Sequence, residues 1–458
     1  DQLHRAMKEA INLCEPGRAF GAPHFVDFVC QNRDVSKNVK STLDLPLNNI
    51  SQKVLEEQLS RLGAQRVTNG AVVVVDNETG NVIVMVGSRD YFDLKFGQVN
   101  GALAPRSAGS AFKPFTYVIA LEKGMTPATV LADVPTLFST ATGVFSPVNY
   151  DRRFRGPVTL RQSLANSLNV PAVRVLDFSG GASVLQQRLR RMELSTLNED
   201  SSYYGLGLTI GNAETKLLEL TNAYATLARL GEYRPVRLLE TDPVGFSRVF
   251  KRGPAWLIAD ILSDDNARAS AFGWQSALSF PFPVACKTGT SSDFRDNWAF
   301  GYTPEFTVGV WVGNFDGAPM KEVTGVTGAA PVMKSIMMHL HNKFGTSWYK
   351  IPDEIERAKV DQYSGMRSSS GKMDYFLKGT MPEIEPIDVR DSLGRVRLGP
   401  KFSNWWRSSM NHLRDHTSLA TANSESINIL SPRPGTVIYL DPDLPSSSKY
   451  LPLRANVE

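Results

Sequence analysis

Residues 69–87 read NGAVVVVDNETGNVIVMVG. Two β-branched runs flank the polar stretch Asp76 to Asn81, and Gly80 can supply the positive φ that a tight loop needs. A strand with one wet face alternates apolar and polar residues, but these two runs are apolar almost throughout. They are expected to pair as a hairpin inside a sheet covered on both faces.

The covering elements follow along the chain. SAFKPFTYVIALEKG is a predicted helix with Phe115, Val118, Ile119 and Leu121 apolar and Gly124 as its stop. A helical stretch is expected from Thr159 to Gly180, and another in GGASVLQQRLRRM. In NAETKLLELTNAYATLARLG, Leu217, Leu220, Tyr224, Leu227 and Leu230 recur at helical spacing and Gly231 closes the run. That stripe is core material. Before the hairpin, Ile50, Val54, Leu55, Leu59 and Leu62 form another apolar stripe, with Asn49 or Ser51 as the expected cap. Strands return in FPVACKTGT, DNWAFGYTP and EFTVGVWVGNFDG, where Trp298, Phe300 and Trp311 read as sheet packing, and the helix PVMKSIMMHLHNKFG comes last. Strands, many helices, strands and a helix predict an α/β (α+β) domain: an antiparallel sheet flanked by helices, with a helical subdomain inserted.

After about Thr346 the composition turns rich in Ser, Pro and Gly. The expected division is 1–60 as linker, 61–350 as the main domain, 351–425 as linker or extension, and 426–458 as the start of a small C-terminal β module. The chain opens DQLHRAMKEA without an initiator Met. It is read as a fragment whose natural N-terminal part, with any membrane anchor, has been removed.

Several function classes find no support. The net charge of +4 over 458 residues is small, and Lys and Arg are scattered, which does not suit a nucleic-acid partner. The longest apolar runs are too short to cross a bilayer. The three cysteines, Cys14, Cys30 and Cys286, form no C-x-x-C pair; Cys14 and Cys30 either bridge or remain two free thiols. GLGLTIG (205–211) lacks the G-K-[ST] of a phosphate loop and reads as a tight turn near the site. His412 and His416 are four apart but lack the Glu of a zincin helix, and His339 and His341 lie two apart on different helix faces, so no metal or cofactor is expected. Arg152 to Arg155 form a loop charge cluster. Tyr150 or Tyr302 is a candidate cleft residue, and Asn404 to Trp406 either dock a partner or build a local core.

The chemistry concentrates in three short stretches. RSAGSAFKPF places Ser110 three residues before Lys113 at a helix start. Residues so spaced share a face, roughly 5–6 Å apart at Cβ. A serine hydroxyl is a weak nucleophile until a base takes its proton. Lys113 can serve only if its pKa of about 10.4 falls by about three units, which costs about 4 kcal/mol; burial and a second cation both push that way. The bland alternative is a serine cap beside a solvated lysine. LANSLNVPAV carries Ser167 and Asn169, able to relay a proton and to hold a lysine or a substrate amide. CKTGTSSDF carries Lys287, Thr288, Gly289 and Thr290 on a strand. Alternation puts Lys287 and Gly289 on one face, so Lys287 can meet a substrate carboxylate and Gly289 can admit another backbone.

S-x-x-K opening a helix, S-x-N, and K-T-G on a later strand together mark the β-lactamases and penicillin-binding proteins. GSAFKPF, SLANSLNVPAV, ETKLLELTNAYATLARLGEY and KTGTSSDFRDNWAFGYTPEFTVGVWVGNFDG resemble a class A penicillin-binding protein transpeptidase. FLKGTMPE and INILSPRPGTVIYLDP resemble its 1C branch. The resemblance covers roughly 60–350 strongly and the tail moderately. It implies a penicilloyl-serine transferase fold, with residues 1–60 as the remnant of an absent glycosyltransferase region. It implies Ser110 as nucleophile, Lys113 as base, Ser167 and Asn169 as the second motif, and Lys287, Thr288, Gly289 and Thr290 as the substrate-binding strand. The amides of Ser110 and Thr290 would form the oxyanion hole. The implied reaction is D,D-transpeptidation of peptidoglycan stem peptides on the periplasmic side of the bacterial inner membrane. The implied ligands are β-lactam antibiotics, and cell-wall synthesis proteins are expected partners. The branch's cysteines after the catalytic region are missing from VDQYSGMRSSSGKMDYF. Two rivals stand beside this reading. A β-lactamase, like a D,D-carboxypeptidase, would release its acyl group to water; the nearest match to a lactamase's deacylating E-x-x-L-N is ELSTLN at Glu193, one spacer too long. A sensor or scaffold would bind muropeptide or β-lactam without turnover.

Overall fold

The computed structural model describes residues 21–33, 38–140 and 143–420, together with the strands Ile427–Ser431 and Arg454–Val457. Five strands form its central sheet: β1 (Asn69–Asp76), β2 (Val82–Val86), β3 (Ala285–Thr290), β4 (Asp296–Tyr302) and β5 (Phe306–Gly313). The order is β3-β4-β5-β1-β2, every pairing antiparallel. The chain leaves the sheet after β2, builds a helical subdomain, and returns as β3 at the sheet edge.

Both faces are covered, as the all-apolar runs require. Ala71, Val73 and Val75 point with Trp298, Phe300 and Tyr302 into one core; Val72 and Val74 point with Ala299, Val308 and Val310 into the other. Burying each valine contributes about 1.5–3 kcal/mol relative to exposure. The Leu217–Ala228 helix covers the first face, with Leu217, Leu220, Tyr224 and Leu227 fully buried. The Leu45–Arg61 and Ala330–Phe344 helices cover the second. Gly80 has the expected positive φ of 79°.

Two details differ from the sequence reading. The Leu45–Arg61 helix is capped by Asp44, which accepts from Leu47 N, and neither Asn49 nor Ser51 caps it. Pro46 in its first turn needs no amide partner there, which lets the helix begin that early. The helical stretch from Thr159 to Gly180 is two helices, Leu160–Ala165 and Asn169–Phe178. The first opens on a capping box between Thr159 and Gln162. The break lies at Ser167, which has φ 57°. Cys14 lies outside the described residues, and so does its pairing with Cys30.

Residues 351–420 of the expected linker or extension carry packed structure. Ile355–Val360 pairs with Lys372–Leu377, and Val396–Leu398 with Thr417–Leu419. Trp405 is buried, and its indole donates to Phe154 O at 2.8 Å. It therefore belongs to a local core with Leu398, Phe402 and the Ala132 and Val134 side chains. Arg161 ties this region to the helical subdomain. Its guanidinium reaches Asp374 Oδ1 and Asp260 Oδ2, both at 2.6 Å, and Asp264 Oδ2 at 3.2 Å. Short strands held by a few large side chains and one buried ion cluster have no periodic signature, so composition alone reads as linker. Among the described residues no helix is long and apolar enough to cross a membrane.

The sheet admits its covering helix closely only where side chains are missing. A Cβ on Gly309 would stand 2.0 Å from Thr221 Oγ1, and that hydroxyl is fixed by Leu217 O at 2.7 Å. Gly309→Ala is therefore expected to cost about 1–3 kcal/mol by overpacking. Urea unfolding should show a lower midpoint at unchanged slope; an unchanged midpoint would contradict this contact.

Candidate active site

The three stretches singled out in the sequence converge beside β3. Residues Gly109–Phe112 form a 3₁₀ turn and Lys113–Glu122 the helix that continues it, so Ser110 and Lys113 flank a junction. Core aromatics hold this turn. Trp298 Nε1 donates to Ser107 O, and the Tyr224 hydroxyl to Ala111 O, both at 2.7 Å. Tyr224 itself stacks on Phe300 with ring centroids 4.3 Å apart. Gly109 takes φ 53°, and a Cβ there would lie 2.6 Å from Thr290 O. A Cβ on Gly289 would lie 2.5 Å from Ala108 O. The edge of β3 and the turn bearing Ser110 thus lie backbone against backbone, an approach that side chains would prevent.

Lys113 is fully buried. Its amine donates to Ser167 O at 2.5 Å and to Asn169 Oδ1 at 2.7 Å, and lies 3.3 Å from Ser167 Oγ. None of these contacts is to the Ser110 hydroxyl, which is half-buried. A neutral amine has two hydrogens and one lone pair. In the neutral form the two short contacts can use both hydrogens, which leaves the lone pair to accept a proton. The left-handed backbone at Ser167 aims its carbonyl at this amine; such strain costs about 1–3 kcal/mol and persists only where surroundings impose it.

Lys287 is also buried, 3% exposed, and donates to Ser167 Oγ and Thr288 O, both at 2.8 Å. The Ser167 hydroxyl therefore sits between two amines. Thr290 Oγ1 accepts from Gly325 N at 3.0 Å, which pins a loop across the end of β3. Burial, then the charge of Lys287, hold Lys113 well below an ordinary lysine, while buried Asp133 pulls the other way. Burial and Arg268 push Lys287 down to about 7. The sequence supplied Lys287 as the second cation for Lys113, but it did not identify Arg268 as the cation acting on Lys287. Arg268 is 3% exposed on the Asp265–Phe272 helix, donates to Leu262 O at 2.6 Å, and carries no motif.

The other residues read from the sequence fall elsewhere. Tyr302 is fully buried in the sheet core, so of the two cleft candidates only exposed Tyr150 remains, edge-on to Phe294 at 6.1 Å. The turn at 205–211 does reach the site: a Cβ on Gly211 would strike the Gly109 backbone, and Gly211 O accepts from Ser107 Oγ at 2.8 Å. Glu193 is exposed and paired with Tyr233, away from the amine cluster. His341 is buried between Thr303 and Gly345 O, and His416 stacks on Tyr363. A cavity of about 1200 Å³ lies between the helical subdomain and the 360–413 region. It meets the cluster only at Asn166 and Leu168, which flank Ser167, so its size does not mark the chemistry.

The lowered pKa of Lys287 carries a stability consequence. The unfolded chain holds a proton on Lys287 up to about 10.5, and the folded chain releases it near 7. Folding is thus opposed in full below about pH 7, and the penalty fades as pH rises toward 10.5. Wild-type stability is expected to climb across that window, by up to about 1.4 kcal/mol per pH unit from this group. Lys287→Met should flatten the climb, read from urea unfolding at a series of pH values; equal slopes would count against a depressed lysine.

Residues 70–338 match the transpeptidase domain of penicillin-binding proteins. The chain is 34% identical to penicillin-binding protein 1C of Escherichia coli (strain K12), over 98% of this chain and 56% of that protein. It is 32% identical to penicillin-binding protein 1A of Aquifex aeolicus, over 71% of this chain and 46% of that protein. The chain thus spans about half the length of these relatives. Penicillin-binding protein 1A from Haemophilus influenzae has a similar structure, with a TM-score of 0.70 at 19% identity over 83% of this chain and 79% of that one. PonA1 from Mycobacterium tuberculosis in complex with penicillin V gives 0.57 at 22% identity, over 73% and 92%. Both bear out the expected fold. The sequence match covers more than half of the chain, and the protein belongs to the penicillin-binding protein transpeptidase family.

Proposed function

We propose that this chain is a peptidoglycan D,D-transpeptidase that works through a serine acyl-enzyme and is blocked covalently by β-lactams. The observation that carries the reading is the buried Lys113 amine, held by Ser167 and Asn169 with Lys287 on the far side of the same hydroxyl. Three stretches far apart in sequence supply one nucleophile, one neutral base, one proton relay and one cation.

In this mechanism Ser110 Oγ attacks the carbonyl carbon of the D-Ala–D-Ala peptide bond, and its proton passes to Lys113. The amides of Ser110 and Thr290 receive the developing oxyanion. Lys287 and the hydroxyls of Thr288 and Thr290 bind the terminal carboxylate, and Gly289 leaves the strand edge open to the substrate backbone. The tetrahedral intermediate collapses, Ser167 relays a proton to the departing amine, and D-Ala leaves with the Ser110 ester formed. The amine of a second stem peptide then attacks the ester, restores the Ser110 hydroxyl and forms the crosslink. A β-lactam enters as the donor does, but its opened ring stays attached. The substrate places this reaction on the periplasmic side of the inner membrane, among other cell-wall synthesis proteins. Residues 61–350 are the catalytic unit and 351–425 an extension of it.

Mass spectrometry after exposure to a penicillin should find one adduct, on Ser110. Ser110→Ala should abolish it, and Lys113→Ala should slow it by about 10²–10⁴-fold, the usual worth of a positioned base. Crosslinking of lipid-linked glycan strands should be lost in Ser110→Ala. An adduct on another side chain, or rapid release of hydrolysed penicillin, would overturn the transpeptidase reading.

A further inference from the structure

The helix bearing Asn169 is not capped by its own sequence. Leu168 stands at the capping position and has no polar side chain. The cap comes from the loop that ends in Asn149. Asn149 Oδ1 accepts from Asn169 N at 2.8 Å and from Val170 N at 3.4 Å. Its Nδ2 donates to both carboxylate oxygens of Asp133, at 2.7 and 2.9 Å, and to Arg153 O at 2.8 Å. Asp133 is fully buried and Asn149 is 2% exposed. An ionised carboxylate can only accept. Asp133 therefore dictates which end of the Asn149 amide faces it and turns the oxygen toward the helix. Asp133 also takes Arg155 N at 2.9 Å, so it is itself fixed.

The preceding residue completes the hold. Val148 O accepts from Asn169 Nδ2 at 2.8 Å, which leaves Asn169 Oδ1 for the Lys113 amine at 2.7 Å. Two consecutive residues thus fix both the backbone and the side chain of Asn169. We propose that Asn149, oriented by the buried carboxylate of Asp133, is the positioning residue that sets the Lys113 amine through Asn169. This inference rests on the reading above, in which Lys113 serves Ser110 as base. Nothing in the motif spacing marks Asn149, and it touches neither Lys113 nor Ser110 itself.

The test is a mutant cycle on the whole chain, read as the rate of acylation by a fluorescent penicillin. Asn149→Leu should slow acylation about tenfold, the size usual for coupled residues in one hydrogen-bond network. Combined with Asn169→Ala it should be no slower than Asn169→Ala alone, because both act through one contact. Losses that multiply, or a wild-type rate in Asn149→Leu, overturn the proposal. Should Asn149→Leu not fold, near-isosteric Asn149→Asp makes the same test, since its second oxygen would face Asp133 as an acceptor. A second readout needs no penicillin. Lys113 should be protected from reductive methylation in the wild type and react about tenfold faster in the Asn149 variant, by peptide mass spectrometry. An unchanged Lys113 reactivity overturns the proposal. A wild-type chain that never labels at Ser110 would sink the catalytic reading instead, and the methylation result would still decide whether Asn149 positions Lys113.

Discussion

A lysine amine is buried beside a second lysine at the centre of this protein, and the arrangement around it follows from that. Burial disfavours the charged form of this amine, so it is held well below an ordinary lysine. In the proposed mechanism Lys113 is the base, and its amine is engaged by Ser167 O and Asn169 Oδ1. Lys287 opposes any proton that would return to it. In turn, buried Arg268 opposes a proton on Lys287. Burying these basic groups together is unfavourable to folding, and the fold sustains it with large apolar cores on both faces of the sheet.

The same cores do mechanical work for the site. The aromatic layer that fills the space between sheet and helix sends two polar tips, Trp298 Nε1 and the Tyr224 hydroxyl, into the carbonyls of the Ser110 turn. Sheet packing and the position of the Ser110 turn are therefore one structure. On the far side of the cluster, the 396–413 region packs on Ala132 and Val134, the neighbours of Asp133. Gly156, opposite Asp133 in the adjoining strand pair, leaves the space that the Trp405 ring fills. The extension thus supports the strand from which Asp133 reaches Asn149.

Much of the candidate site was legible in the chain because each of its three stretches is short and locally encoded. Ser110 with Lys113, Ser167 with Asn169, and Lys287 to Thr290 each keep their spacing whatever the rest of the fold does. The apolar hairpin and the Leu217 to Leu227 stripe were equally readable, because burial on both faces or along one helix face leaves a period. The Asp44 cap, the break at Ser167 and the packed 351–420 stretch were not. Each depends on a partner distant in sequence or on a strained backbone, and neither leaves a period. Asn149 and Arg268 were silent for the same reason: a residue that acts by facing another across the fold has no spacing to betray it.

By itself, then, the sequence determined the element types, the two-faced sheet and the chemical groups available, because hydrophobic period and motif spacing are properties of neighbouring residues. The tertiary structure alone decided that two lysines share one hydroxyl, that the Lys113 amine is held by Ser167 and Asn169, and that Asp133 orients Asn149 behind them. Burial and the direction of a hydrogen bond exist only once remote segments have been brought within a few ångströms of one another.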